Sequence, residues 1–123
     1  MLIFALDVGE GMEEAISWVE RLKGYVEIFK VGKESFTRYG PSIIKMIKGR
    51  DKKIFLDLKY HDIPHTVAGA ATGAVEQEVF MFNVHALGGK EMMEKTVTAV
   101  HRVVKKKGLP MPIILAVTVL TSL

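Results

Sequence analysis

Phe55-Leu56-Asp57-Leu58-Lys59-Tyr60-His61-Asp62-Ile63-Pro64-His65-Thr66 passes from a strand pattern to the start of a helix within one short segment. Side chains alternate faces along a strand, so Leu56 and Leu58 share one side while Asp57 and Lys59 share the other. Pro64 has the fixed φ of a first helical turn, and the alanine-rich run after it continues a helix. A strand that feeds directly into a helix is the repeating element of a parallel α/β fold.

The same alternation extends in both directions. Residues 2–7, 27–32, 53–59, 79–85 and 112–122 read as strands, rich in Ile, Val and Phe and bounded by glycine, proline or charge. Between them, Met12, Ala15, Val19 and Leu22 mark one helix. Pro41 opens a second with Ile43, Ile44 and Ile47, and Pro64 opens a third. Met93, Val97, Val100 and Val104 mark a fourth, closed by Gly108. Five strands and four helices in this order imply right-handed crossovers and a parallel sheet. Two architectures fit: a partial (β/α)8 TIM barrel, or a flavodoxin-like doubly wound sheet. Asp7, Lys30, Asp57 with Lys59, His85 and Ser122 all fall near the carboxyl ends of successive strands, the face where barrels place their chemistry. A doubly wound sheet concentrates its site at one switch point, so the barrel is the better fit.

The chain has 123 residues, 49% of them hydrophobic, which is enough for a single domain over 1–123 with a real core. It contains no cysteine, so the fold must rest on packing, as is usual in a reducing cytoplasm. The opening apolar run meets Asp7 early and has no basic residues before it, so it does not read as a signal peptide. The longest apolar stretch, 113–120, is broken by Thr118 and is too short for a bilayer; a soluble chain without a membrane partner is expected. The net charge of +3 is scattered among acidic neighbours. Lys105-Lys106-Lys107 is the one basic run, and it suits the carbonyl end of a helix better than it suits a nucleic acid.

Spacing alone leaves the polar residues open. Asp57 and Lys59 are either a strand-end ion pair or a functional anion and cation held side by side. Asp62 is either a turn aspartate or a second carboxylate at the same edge.

The run Asp57-x-Lys59-x-x-Asp62-Ile63-Pro64-x-Thr66 resembles the signature of orotidine 5'-phosphate decarboxylases. Ala5-Leu6-Asp7, Phe29-Lys30-Val31-Gly32-Lys33-Glu34, Asn83-Val84-His85-Ala86 and Val117-Thr118-Val119-Leu120-Thr121-Ser122 agree in order and spacing. Glu78 is a departure, standing where relatives usually carry glycine. The resemblance implies that Lys59 protonates C6 of the pyrimidine as carbon dioxide leaves, with Lys30, Asp57 and Asp62 completing a charged catalytic network. It implies that Asp7 and Lys30 hold the ribose hydroxyls and that Thr121 or Ser122 touches the pyrimidine. It also implies a homodimer in which Asp62, Ile63 and Thr66 act in the neighbouring subunit's site. The ligands would be orotidine 5'-phosphate and uridine 5'-phosphate, with no metal or other cofactor. His85 reads as a packing or supporting residue, because no partner for a proton relay is evident.

The chemistry agrees with this set. Loss of carbon dioxide leaves negative charge at C6, and a catalyst must place a cation where that charge develops. Related barrels with an aspartate-x-lysine-x-x-aspartate core act on sugar phosphates, as keto-sugar-acid decarboxylases or hexulose-phosphate synthases, and a metal requirement would favour them. A third possibility is a non-catalytic half-barrel. A complete barrel needs roughly 250 residues and eight strands, so this chain is expected to lack the last three, which in the family carry the mobile loop and the phosphate grip. Little turnover is expected from it alone, because remote phosphate binding serves the reacting centre. An oligomer or a rearranged sheet is also expected, with Leu6, Phe55 and Val117 on an uncovered inner face.

Overall fold

A computed structural model describes every residue, Met1–Leu123. The fold class is α/β, with five parallel strands and five α-helices, and no strand is displaced from its place in the chain. Two compact units can be distinguished, Met1–Asp57 and Leu58–Leu123. No helix is long and apolar enough to cross a membrane.

The first unit contains β1 (Ile3–Ala5), α1 (Met12–Leu22), β2 (Ile28–Gly32), α2 (Lys33–Tyr39), α3 (Pro41–Lys48) and the beginning of β3 (Lys53–Tyr60). β2 pairs in parallel with β1 on one side and with β3 on the other, so that Phe4 lies opposite Phe29 and Gly32 opposite Asp57. A flavodoxin-like sheet would instead place its first strand between the second and third, so that alternative is overturned. The core forms from the expected apolar spacings: Ala15 and Val19 of α1 and Ile43, Ile44 and Ile47 of α3 are buried with Phe29, Ile54 and Leu56. Trp18 stacks on Phe4 at 5.7 Å, and the Arg21 guanidinium covers the indole at 4.7 Å. At the surface, Lys23 and Arg50 donate to Glu20 at 2.8 and 2.7 Å, which holds its carboxyl below the usual range.

One helix of this unit has no counterpart in the sequence pattern. Lys33–Tyr39 is short and largely polar, and its one buried residue is Ser35, so it carries no apolar stripe to read. Leu6 also departs from expectation. It is fully buried and belongs to the core, not to an uncovered face.

The second unit contains the end of β3, α4 (Pro64–Glu76), β4 (Met81–His85), a 3-10 turn (Ala86–Gly88), α5 (Lys90–Lys107) and β5 (Ile113–Val117). β4 is buried throughout and pairs in parallel with β5 from Met81 opposite Ile113 to His85 opposite Val117. α4 presents Val67, Ala71, Ala74 and Val75 to the interior and packs on α5. On α5 the buried positions are Met92, Thr96, Val100 and Val103, whereas Val97 is 39% exposed. The stripe expected through Met93, Val97 and Val104 is therefore displaced by about one residue. A polar Thr96 can sit inside because its hydroxyl donates to the Met92 carbonyl at 2.8 Å. Gly108 closes the helix in the left-handed conformation, as expected. Lys107 pairs with Glu76, so the basic run ends a helix and ties it to α4.

β5 stops at Val117, well short of the expected 122, and Thr121 and Ser122 lie in a turn closed by the Leu123 amide donating to the Leu120 carbonyl. Apolar composition continued past the point where the ladder ends, which is why the pattern overran. Ile113 and Leu115 remain 42% and 39% exposed.

Glu78 follows α4 with φ 56°, in the left-handed region. The glycine that the resemblance leads one to expect here would adopt that backbone without the Cβ clash. Glu78→Gly should therefore raise the unfolding free energy by roughly 0.5–1 kcal/mol in urea denaturation. Unchanged or lowered stability would show that the Glu78 side chain compensates for its backbone.

Candidate active site

The first unit gathers three of the expected residues. Lys30 is the middle residue of β2, between the buried Phe29 and Val31. Its ammonium Nζ lies 3.3 Å from Oδ2 of Asp7, just beyond β1, and 3.4 Å from Oδ2 of Asp57 on β3. One cation thus serves carboxylates from both neighbouring strands. The Asp57 side chain is only 10% exposed, and Asp7 is 41% exposed. Lys59 is the next ionisable residue along β3.

Two small residues make room for this cluster and fix its edge. A Cβ on Gly32 would stand 3.2 Å from Oδ1 of Asp7, so the missing side chain leaves space for the carboxylate. Ser35 is buried and donates its hydroxyl to the Leu6 carbonyl at 2.7 Å, clamping the backbone immediately before Asp7. Sequence reasoning passed over both. A lone serine in a polar helix gives no signal until the helix is seen to bury it.

In the second unit, Lys59 has φ 50°, outside the extended region, so strand alternation ceases to dictate where its side chain points. Its backbone N–H donates to Oδ1 of Asn83 at 2.8 Å. Tyr60 packs against Phe82 with ring centroids 6.0 Å apart, and burial raises its phenol above the ordinary tyrosine range. Asp62 accepts the Ile63 N–H at 2.6 Å, so it does serve as a turn aspartate. Ile63 is 65% exposed beside it, and Thr66, also exposed, lies in the first turn of α4 with its N–H donating to the Ile63 carbonyl. His85 stacks on His61 at 5.4 Å, and its Nδ1 accepts the Leu87 N–H at 3.2 Å, which makes it a cap for the 3-10 turn. Thr121 and Ser122 are exposed in their own turn.

Residues 1–123 match the model of the orotidine 5'-phosphate decarboxylase / HUMPS family. The chain belongs to this family. It is 60% identical over 122 residues to the orotidine 5'-phosphate decarboxylase of Syntrophus aciditrophicus, covering 99% of this chain and 49% of that one. Among solved structures, the orotidine 5'-phosphate decarboxylase of Lactobacillus acidophilus matches with a TM-score of 0.81 at 35% identity, over 98% of this chain and 54% of that one. The orotidine 5'-monophosphate decarboxylase of Methanocaldococcus jannaschii, complexed with the inhibitor BMP, matches with a TM-score of 0.72 at 31% identity, over 94% and 50%. These neighbours are TIM barrels, and the chain spans about half the length of the relatives it matches.

Within this decarboxylase-family chain, the Ser35 clamp can be tested without turnover. Ser35→Ala leaves the Leu6 carbonyl without its buried donor and should lower the unfolding free energy by about 1 kcal/mol. Thr37→Ala on the exposed side of α2 should stay within about 0.5 kcal/mol. Equal effects at the two positions in urea denaturation would contradict the clamp.

Proposed function

We propose that this chain is the amino-terminal half of a cytoplasmic enzyme that converts orotidine 5'-phosphate to uridine 5'-phosphate in pyrimidine biosynthesis, without metal or organic cofactor. The observation that carries the reading is Lys30 held between Asp7 and Asp57, three residues that also stand at matching positions of the family pattern. Lys59 is the catalytic lysine in this reading. The C6 carboxylate leaves as carbon dioxide, the electron pair of the broken bond stays on C6, and the Lys59 ammonium donates the proton that fills the position. Lys30, Asp57 and Asp62 complete the charged network, and Asp7 and Lys30 hold the ribose hydroxyls.

Asp57 can also act on the bound substrate. Two unit charges about 4 Å apart repel by about 4 kcal/mol at an effective dielectric near 20, so a carboxylate close to the substrate carboxylate favours its loss. We rank that below stabilisation of the developing charge. Thr121 or Ser122 contacts the pyrimidine. Asp62, Ile63 and Thr66 serve the neighbouring subunit of a homodimer, a role supported by the exposure of all three on one turn. The relatives are about twice as long, and phosphate binding belongs to the portion outside this match, so turnover needs both halves.

In the full-length enzyme containing these residues, Lys59→Ala should abolish decarboxylation while thermal melting stays near wild type. Loss of substrate absorbance measures the first, and turnover within tenfold of wild type would refute the assignment. Mixing Lys59→Ala and Asp62→Ala proteins should restore part of the activity, because each mixed dimer has one site free of both changes. If mixed dimers form and activity remains at the level of the separate variants, Asp62 does not act across the interface.

A further inference from the structure

Asn83 has no role in the family pattern described above, yet it is the polar side chain buried in the middle of β4, only 3% exposed. A buried amide persists in a core strand only if it is hydrogen-bonded. The bond it makes is specific: its Oδ1 accepts the backbone N–H of Lys59 at 2.8 Å. Lys59 is one of three non-glycine residues with positive φ, at 50°. For an L-residue that conformation is unfavourable because Cβ crowds the backbone, and such strain persists where the surroundings impose it. A left-handed residue near the end of a strand has left the extended geometry that a ladder bond requires. A side-chain acceptor from the neighbouring β4 satisfies its amide instead.

We propose that Asn83 is a positioning residue for Lys59. By holding the Lys59 amide it fixes the lysine backbone in the left-handed conformation, and so fixes the direction in which the ammonium leaves the strand. The proposal rests on the reading of Lys59 as the proton donor. Asn83 acts through the lysine backbone. The energetic logic is that of pre-organisation, since a misplacement of about 1 Å at a reacting group can cost about a hundredfold in rate.

The test uses the full-length enzyme. Asn83→Ala should lower kcat by about 30- to 100-fold with KM changed less than about threefold, because substrate contacts remain while the proton donor is misaimed. The Lys59 amide, followed by hydrogen exchange in NMR, should exchange at least about tenfold faster in Asn83→Ala than in wild type, since the bond that protects it is gone. Asn83→Asp keeps an oxygen acceptor in place and should recover most of kcat and the amide protection. A kcat within threefold of wild type in Asn83→Ala, or an unchanged Lys59 amide, overturns the proposal. If Asn83→Ala does not fold, Asn83→Asp decides: retention of both kcat within about tenfold and amide protection supports the role, and loss of either refutes it. Lys59→Ala is the separate control. Turnover surviving in that variant would remove the catalytic reading of Lys59, whereas the exchange measurement still reports whether Asn83 holds its backbone.

Discussion

Lys30 stands between two carboxylates, 3.3 Å from Asp7 and 3.4 Å from Asp57, and the arrangement of the first unit converges on that contact. It requires β1, β2 and β3 to run parallel and in register, so that the carboxyl ends of three strands meet at one level. It requires strand alternation to put Phe29 and Val31 on the face of β2 opposite Lys30. It also requires Gly32 to stay small and Ser35 to hold the Leu6 carbonyl. Without the cation, the buried Asp57 carboxylate and the exposed Asp7 carboxylate would lose the positive charge they share, which matters most for the buried one.

The second unit solves a different problem, which is how to turn a lysine out of a strand. Regular alternation would give Lys59 a fixed side, but its left-handed backbone breaks the period, and a buried asparagine from β4 takes up the amide. Nearby, ordinary turn chemistry does the shaping. Asp62 accepts the next residue's N–H, Pro64 starts α4, and His85 caps a 3-10 turn while stacking on His61. Lys59 is one of three non-glycine residues whose backbone departs from local preference, and such departures gather at functional positions.

Much of this was legible beforehand, for physical reasons. Apolar spacing located α1 and α3, Pro64 with the alanine-rich run located α4, and bounded runs rich in Ile, Val and Phe located the strands, because burying those residues is what forms the elements. The Asp7, Lys30 and Asp57 grouping was also legible, since strand ends in a parallel fold lie on one edge. What escaped notice had no apolar or motif signal. Helix α2 buries a serine, the interior face of α5 includes Thr96, and β5 ends at Val117 although apolar residues continue. Asn83 was read only as part of a matching segment. A lone amide inside an apolar strand was the available clue, and its partner, a backbone N–H on another strand, can be known only from the fold.

We propose that this charged cluster serves a nucleotide decarboxylase that works without a metal. The most direct measurement is turnover by the full-length enzyme, with a chelator present, on orotidine 5'-phosphate and on a phosphorylated keto-sugar acid in parallel. The account predicts decarboxylation of the nucleotide at a rate unaffected by the chelator and none of the sugar acid. Inertness toward orotidine 5'-phosphate, with metal-dependent decarboxylation of the sugar acid, would contradict it.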